Sequence, residues 1–258
     1  MLPSLIEKPT PLPFIAPTRA AMGQKAAEDI ANELVRRLQS QQNVRMIFAA
    51  APSQSEMLSA LLTKPGIDWL RVTAFHMDEY LGLAPDAPQR FGLWLRHAIF
   101  DRLPFGAVHL LEPGADPEAV AAEYADKLNA APIDIVCCGI GSNGHLAFND
   151  PPADLNDSSD VKVVELDAAC RQQQVDDRCF DRFDDVPTHA LTLTIPRLLA
   201  SDRIFCCVPG AIKRTAVRRT LQDRISGLVP ATALRTHPNW SLYLDRDSVA
   251  ELNKVEPQ

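Results

Sequence analysis

Short apolar runs and segments with helical periodicity alternate along this chain. Apolar residues recur every three or four positions over residues 18–38, and residues 44–51 are mostly apolar, which is typical of a helix followed by a buried strand. The alternation continues, predicting strands at 70–75, 133–138, 190–195, 204–208 and 241–245, and helices at 90–101, 118–129 and 213–222. Buried strands separated by helices indicate a three-layer α/β/α fold with a mostly parallel central sheet.

The first 18 residues differ from the rest because five prolines interrupt them. Proline fixes its own backbone and disfavours a helix at the residue before it, so we expect residues 1–18 to form an extended arm. Residues 19–258 contain no internal repeat, long linker or low-complexity tract. We therefore predict that they form a single domain.

The composition narrows the class of protein. The chain has 258 residues, of which 46% are hydrophobic, and its formal net charge is −7. This negative charge argues against a surface for nucleic acid or acidic membranes. No apolar run approaches the roughly 20 residues that cross a bilayer, and the first residues lack the features of a signal peptide. We expect neither nucleic acid nor membrane as a partner, and the sequence leaves a homo-oligomer open.

Cysteine usage indicates a reducing compartment. Four of the six cysteines form the adjacent pairs Cys137–Cys138 and Cys206–Cys207 inside predicted strands. Neighbours on a strand point to opposite faces, and no CxxC spacing is present. The sequence therefore predicts reduced thiols in a cytoplasmic protein, with neither a disulfide nor a structural metal.

Residues 138–152 carry the strongest chemical signal. Gly139, Gly141 and Gly144 follow the predicted strand 133–138, and glycines at this density let the backbone turn sharply and approach a ligand closely. His145 leaves that turn, and Asp150 comes five residues later. An imidazole and a carboxylate at the carboxyl end of a parallel strand predict a proton-transfer site, because open α/β sheets bind ligands there. A satisfied structural histidine is the alternative.

The same glycines match the dinucleotide-binding pattern G-x-G-x-x-G. That pattern needs a helix to receive the pyrophosphate, and the Asn-Asp-Pro-Pro sequence at residues 149–152 leaves no long helix there. We therefore do not expect a nicotinamide cofactor.

The strand at 44–51 runs into the polar residues Ser53, Gln54 and Ser55. A helix start exposes unpaired N–H groups and the positive end of the helix dipole, which suits a phosphate. Ser53 and Glu56 have the spacing of a capping box, so we predict that a helix begins at Ser53. An ordinary N-cap without a ligand is the alternative.

The strand at 70–75 runs into His76, Asp78 and Glu79. Paired acids at a strand end often form only a solvated turn. The apolar neighbours Phe75 and Tyr80 would instead hold the carboxylates in a partly dry loop, raising a carboxyl pKa toward the range of a general base. We expect His76 to pack or hydrogen-bond rather than to catalyse.

Two segments carry a resemblance to a known family. Residues 75–80 (Phe-His-Met-Asp-Glu-Tyr) and 139–151 (Gly-Ile-Gly-Ser-Asn-Gly-His-Leu-Ala-Phe-Asn-Asp-Pro) resemble the signature segments of the glucosamine-6-phosphate deaminase/isomerase family, which includes the 6-phosphogluconolactonases. The resemblance implies a modified Rossmann-like fold. It also implies an enzyme that opens an aminosugar phosphate ring, isomerises the sugar to a ketose phosphate and releases ammonia, without a metal or an organic cofactor.

The resemblance implies a role for four residues in catalysis. Asp78 falls on the base that carries a proton between C2 and C1, and His145 on the group that handles the ring-oxygen proton. Asn143 and Asp150 fall on two acids that orient and polarise this histidine. Asparagine stands at 143 in place of an aspartate, and it can still accept a hydrogen bond from the imidazole.

Substrate binding is implied in the same way. The lysine that holds the phosphate falls on Lys213, and Arg178 takes the place of a phosphate-binding arginine. The residues implied in binding the substrate and its phosphate are Ser53, Gln54, Ser55, Gly141, Gly144, Arg178 and Lys213.

Two other functions stay open from the sequence. His145 activating water on a sugar-phosphate lactone would give a 6-phosphogluconolactonase-like hydrolase, although hydrolysis has no use for an enolisation base at Asp78. A non-catalytic sugar-phosphate sensor is the second alternative, because Asn143 cannot stabilise an imidazolium by charge.

Overall fold

Ten strands and seven helices alternate over the part of the chain that the computed structural model describes, residues 6–176 and 178–249. The strands are β1 Phe14–Ala16, β2 Val44–Phe48, β3 Val72–His76, β4 Asp78–Tyr80, β5 Ala107–His109, β6 Ile135–Cys138, β7 Val161–Glu165, β8 His189–Leu193, β9 Arg203–Val208 and β10 Trp240–Asp245. The helices are α1 Arg19–Ser40, α2 Ser55–Leu61, α3 Phe91–Leu95, α4 Pro117–Asn129, α5 Ala168–Asp176, α6 Ile195–Leu199 and α7 Arg214–Gln222. None of these helices is long and apolar enough to span a bilayer.

Seven strands form a parallel sheet in the order β1-β10-β9-β6-β2-β3-β5. From β2 the chain moves outward in one direction through β3 and β5, and from β6 it moves outward in the other through β9 and β10. The order therefore reverses between β2 and β6. Loops that leave neighbouring strands in opposite directions open a crevice at such a switch point, and ligands of open α/β sheets bind there.

The core covers both faces of this sheet. Along β2, Met46 and Phe48 belong to one apolar cluster and Ile47 to the other, because successive side chains of a strand point to opposite faces. Helices α1, α2 and α3 contribute to the first cluster, and α4, α6 and α7 to the second. The predicted three-layer α/β/α arrangement is confirmed.

A second sheet of three antiparallel strands, in the order β4-β8-β7, lies beside the parallel one. The segment at 190–195 was expected to be a strand, and it is one as β8, but it pairs with β4 and β7 rather than joining the parallel sheet. Asp78 and Glu79 were expected in a loop, and they lie on β4 instead. Only Met77 separates β3 from β4, so the chain passes directly from one sheet into the other.

Helix α1 begins where the sequence predicted a helix, whereas α2 begins two residues later than predicted. Thr18 caps α1 by accepting a hydrogen bond from the backbone N–H of Ala21 at 3.2 Å. The capping box predicted for Ser53 is absent: a 3-10 turn spans Pro52–Gln54 and α2 begins at Ser55. Glu56 does not reach back to the turn because Arg19 of α1 binds both its carboxylate oxygens, at 2.8 and 3.0 Å.

The segment predicted as an extended arm supplies the edge strand β1, which pairs with β10 in parallel. The helix predicted at 90–101 is interrupted, because α3 ends at Leu95 and a π-helical turn follows over Arg96–Phe100. Residues 1–5 of the arm and 250–258 of the predicted domain lie outside the described residues.

Candidate active site

A cavity of about 150 Å³ opens at the carboxyl ends of the parallel strands, where the strand order reverses. Asp78, which follows β3, and His145, which follows β6, both line it. Ser53 after β2 and Lys213 after β9 line the same cavity. Four side chains named from separate sequence segments thus meet in one place, because parallel strands bring their carboxyl ends to one edge of the sheet.

The loop after β6 needs glycine at two positions. A Cβ at Gly141 would lie 2.3 Å from Cε1 and Nε2 of His145, so a methyl group there would occupy the place of the imidazole. Gly144 has φ +90°, a conformation that side-chain-bearing residues rarely adopt. The Gly141 N–H donates to the His145 carbonyl at 3.0 Å, which closes the turn and holds the histidine against Gly141.

His145 is paired with Asp150. Its Nδ1 lies 3.0 Å from Asp150 Oδ1, and both side chains are about nine-tenths buried. Burial alone would raise the pKa of Asp150. Contacts with His145, Asn143 and the Cys170 thiol outweigh that effect and lower the pKa, so the carboxyl group is ionised at neutral pH.

Asn143 does not bond to the imidazole, contrary to the expectation from the sequence. Its Oδ1 accepts from the backbone N–H of His145, and its Nδ2 donates to Asp150 Oδ1, both at 3.0 Å. The amide fits these two positions because it has one donor and one acceptor. Asn143 therefore orients Asp150, and Asp150 is the charged neighbour of the imidazole.

Asp78 is buried at the cavity wall, with 7% of its surface exposed. Burial, and secondarily the charge of Glu79, raises its pKa well above the ordinary value of an aspartate. A raised pKa makes a carboxylate a stronger base, which is the property that proton abstraction from carbon requires.

The two neighbours of Asp78 have structural contacts. His76 Nε2 accepts from the Leu111 N–H at 2.7 Å, and burial lowers the pKa of His76 to about 3, so this imidazole stays neutral. Glu79 accepts from three backbone N–H groups, two of them at the start of α3, at 2.9–3.0 Å. Glu79 thus caps α3 from a distant segment, and the expectation that His76 packs rather than catalyses is consistent with these contacts.

Cationic and polar groups occupy the end of the cavity near β2 and β9. Lys213 closes the 3-10 turn Ala211–Lys213 and is 5% exposed. Gln54 is fully buried and does not line the cavity; its Nε2 donates to the Ser53 hydroxyl at 3.1 Å and to the Cys207 carbonyl at 3.2 Å. Gln54 therefore orients Ser53.

Several implied residues lie outside this cavity. Ser55 is the first residue of α2 and lines separate surface grooves. Arg178 lines an adjacent cavity that shares Ala50, Phe91 and Cys179 with the first one. Gly144, Asn143 and Asp150 do not line the cavity; the last two contact His145.

Three polar side chains with long reach on the cavity wall, an arginine and two glutamines, were not found from the sequence. Arg19 lines the cavity, and its guanidinium is held by Glu56 and by the Pro52 carbonyl at 3.0 Å. Gln173 and Gln174 of α5 also line it, and Gln173 Oε1 accepts from the Ser142 N–H and hydroxyl at 2.7 and 2.8 Å. No motif marks these positions, because α1 and α5 reach the site only through tertiary packing.

No helix follows the glycine turn directly. Turns and isolated bridges follow it, and the next helix, α5, begins only at Ala168. The turn therefore lacks the helix N-terminus that binds a pyrophosphate in the dinucleotide-binding motif, in agreement with the prediction from residues 149–152.

The chain shows clear similarity to known proteins. Residues 17–242 match the family described as glucosamine-6-phosphate isomerases/6-phosphogluconolactonase. A glucosamine-6-phosphate deaminase of Exiguobacterium sp. is 33% identical over 220 residues, which are 85% of each chain. A second, of Listeria innocua, is 34% identical over 210 residues, 81% of this chain and 88% of that protein.

Solved structures agree with this. The structure of a monomeric glucosamine-6-phosphate deaminase is 26% identical, with a TM-score of 0.85 over 93% of this chain and 99% of that one. A 6-phosphogluconolactonase from Shewanella baltica shares the fold at 18% identity, with a TM-score of 0.76 over 93% of this chain and all of its own. The chain belongs to the glucosamine-6-phosphate isomerase/6-phosphogluconolactonase family.

Proposed function

We propose that this protein is a glucosamine-6-phosphate deaminase/isomerase, which converts an aminosugar phosphate and water to a ketose phosphate and ammonia. The observation that carries the proposal is the shared cavity. A buried carboxylate with a raised pKa, Asp78, and a histidine paired with an ionised aspartate, His145, line it together with Lys213. The relatives named as glucosamine-6-phosphate deaminases support the same reaction.

Ring opening is the step assigned to His145. The imidazole delivers a proton to the ring oxygen as the bond between that oxygen and C1 breaks, and the C1 hydroxyl loses its proton to water as it becomes the aldehyde carbonyl. Asp150, ionised and 3.0 Å from Nδ1, stabilises the imidazolium form that carries this proton. The charge that Asn143 lacks is thus supplied by Asp150, which removes the reason for preferring a sensor without catalysis.

Proton transfer between carbons is the step assigned to Asp78. The carboxylate removes the proton from C2 and returns it to C1, so that the amine-bearing carbon becomes an imine. Water adds to that imine, and ammonia leaves from the resulting carbinolamine. A single base suffices for the transfer because C1 and C2 are adjacent, and burial keeps its proton from exchanging freely with solvent.

Phosphate binding is assigned to the other end of the cavity. Lys213, the Ser53 hydroxyl and Arg19 line that end, and they oppose the formal net charge of −7 on the whole chain. Gln54 contributes by orienting Ser53. Arg178, from the adjacent cavity, stays a prediction as a phosphate ligand, and Ser55 is the weakest of the implied contacts because it faces other grooves.

One assay panel tests the proposal against its alternatives. The purified protein is given glucosamine 6-phosphate and 6-phosphogluconolactone, and ammonia, ketose phosphate and remaining lactone are measured. We expect equal amounts of ammonia and ketose phosphate and no loss of lactone above background. Lactone hydrolysis without ammonia would support the hydrolase, and tight binding of the aminosugar phosphate without any product would support the sensor.

We also infer a cytoplasmic location, which is supported by six cysteines that form no disulfide in the described structure. The homo-oligomer that the sequence leaves open stays a prediction, and size-exclusion chromatography with light scattering tests it.

A further inference from the structure

Cys170 lies beside the paired His145 and Asp150, although it comes from a separate segment. It is on α5 and is 1% exposed. It shares a helix face with Gln173 and Gln174, which line the cavity, because residues three and four positions apart lie on one side of a helix. One donor atom from each of the cysteine, histidine and aspartate lies within 4.8 Å of the other two.

The three groups face one another: His145 Nδ1 lies 3.0 Å from Asp150 Oδ1, and the Cys170 thiol contacts the same carboxylate. Beyond these mutual contacts, His145 Nδ1 and Asp150 Oδ2 have no hydrogen-bond partner among the described residues. The Asp150 side chain is only 9% exposed. Asn143 donates a hydrogen bond to Asp150 Oδ1 at 3.0 Å, which fixes the orientation of the carboxylate. The second oxygen, Oδ2, does not take part in this bond. Buried ligand-type atoms that face mainly one another indicate a place for an ion that all three could bind.

We propose that His145, Asp150 and Cys170 form an inhibitory binding site for a zinc-like divalent cation. The ligands are Nδ1, a carboxylate oxygen and Sγ, with water from the cavity in the fourth position. Imidazole, carboxylate and thiolate are the donors that zinc takes in proteins. Asn143 does not bind the metal itself, but its hydrogen bond to the Asp150 carboxylate orients that metal ligand.

Distances and charges both fit a tetrahedral ion. Zinc bonds of about 2.0–2.3 Å place ligand atoms roughly 3.3–3.8 Å apart, so three atoms within 4.8 Å of one another need to close by only about 1 Å. As the metal bonds form, the Cys170 thiol releases its proton to solvent, and the neutral imidazole carries its proton on Nε2, which leaves the Nδ1 lone pair for the metal. One thiolate and one carboxylate then neutralise the double positive charge, so the buried complex carries no net charge.

The site is reversible rather than structural. Asn143 already holds Asp150 and the His145 backbone in place without an ion, by hydrogen bonds of 3.0 Å to each. We therefore expect an ion that a chelator removes without unfolding the protein. The inhibitory effect rests on the proposed function: a metal on Nδ1 prevents His145 from becoming an imidazolium and neutralises Asp150.

Metal binding is tested without substrate, so that its result is independent of the proposed reaction. The reduced, metal-free protein is titrated with Co²⁺ and then with Zn²⁺. We expect one Co²⁺ per chain with thiolate-to-cobalt charge-transfer absorption, which Zn²⁺ abolishes by displacement. Cys170→Ser should lose this absorption and weaken Zn²⁺ binding at least tenfold in calorimetry. Cys179→Ala is the matched control for metal binding, because Cys179 lies outside the trio, and it should keep the wild-type absorption and Zn²⁺ affinity.

Asp150→Asn gives a second variant in case the serine replacement does not fold, which circular dichroism would reveal. It keeps the thiol and removes a charged ligand, so we expect at least a tenfold weaker Zn²⁺ affinity. Absence of the charge-transfer band in wild type, or its persistence in Cys170→Ser, would overturn the site. Inhibition of ammonia release by Zn²⁺ is measured separately, and wild type and Cys179→Ala should be inhibited equally. Strong binding without inhibition would overturn the inhibitory role alone.

Discussion

Replacing Gly141 by alanine tests the geometry of the site most directly. The new methyl carbon would lie 2.3 Å from Cε1 and Nε2 of His145, whereas an ordinary contact begins at 3.4 Å. The imidazole must therefore retreat by about 1 Å, unless the loop itself moves by a similar distance. Gly141 does not have a positive φ, so the substitution perturbs the site by steric contact and not by backbone strain.

The displacement has a calculable effect on catalysis. A shift of about 1 Å away from Gly141 changes the 3.0 Å separation between His145 Nδ1 and Asp150 Oδ1, and misplacing a catalytic group by that distance costs about 100-fold in rate. This corresponds to about 2.7 kcal/mol of lost transition-state stabilisation. We expect kcat for ammonia release to fall by this factor with little change in KM, because Lys213 and Ser53 are untouched.

Gly114→Ala is the control for this experiment. A Cβ at Gly114 would meet only Val120 Cγ2 at 3.5 Å, an ordinary contact, and its φ is not positive. This variant should keep wild-type kinetics and stability. A Gly141→Ala enzyme with kcat within twofold of wild type, and with its histidine unmoved in a crystal structure, would refute the argument that the glycine makes room for the imidazole.

Three further substitutions have expected outcomes. Asp78→Asn should lower C2 proton exchange by about 10²–10⁴-fold. Because burial raises the folded-state pKa of Asp78, wild-type stability falls as pH rises through that pKa, so the variant should be more stable than wild type at neutral pH and equal to it below the unfolded pKa. Asn143→Asp should reduce kcat, since it puts a second carboxylate 3.0 Å from Asp150 Oδ1. Glu79→Gln should cost about 1–3 kcal/mol in denaturant unfolding, because the amide nitrogen that replaces Oε2 cannot accept from the Gly92 N–H. Unchanged exchange, a raised kcat or unchanged stability, respectively, would contradict these expectations.

Much of the parallel sheet could be predicted from local patterns. Strands such as β6 and β9 are buried on both faces and therefore appear in the sequence as continuous apolar runs. The helices between them have apolar residues on one face. Once strands are known to be parallel and linked by helices, their carboxyl ends must share an edge, and this is why Asp78, His145 and Lys213 could be placed near one another before their positions were known.

The small antiparallel sheet could not be predicted, and the reason is length. Strand β4 has only three residues. An alternation of apolar and polar residues over so short a segment cannot be distinguished from a loop. Strand β8 carries an apolar run that suits either sheet equally well. Its pairing with β4 depends on residues more than 100 positions apart in sequence, because Asp78 lies opposite Thr192. Such long-range pairing leaves no local signal.

Asn143 is a position that the sequence could locate in the site but whose hydrogen bonds it could not predict. The sequence identified the position correctly as a neighbour of His145, and a charge argument then left a non-catalytic sensor open. The structure shows the amide bonded to the histidine backbone and to Asp150, while the Asp150 carboxylate faces the imidazole. The loop at residues 143–150 could place either Asn143 or Asp150 against the imidazole. The hydrogen bonds that the turn allows decide which of the two side chains takes that position. An asparagine satisfies both contacts with one amide, whereas an aspartate would lack the donor that Asp150 requires. Asparagine therefore suits both of these contacts, and Asp150 remains the charged neighbour of the imidazole.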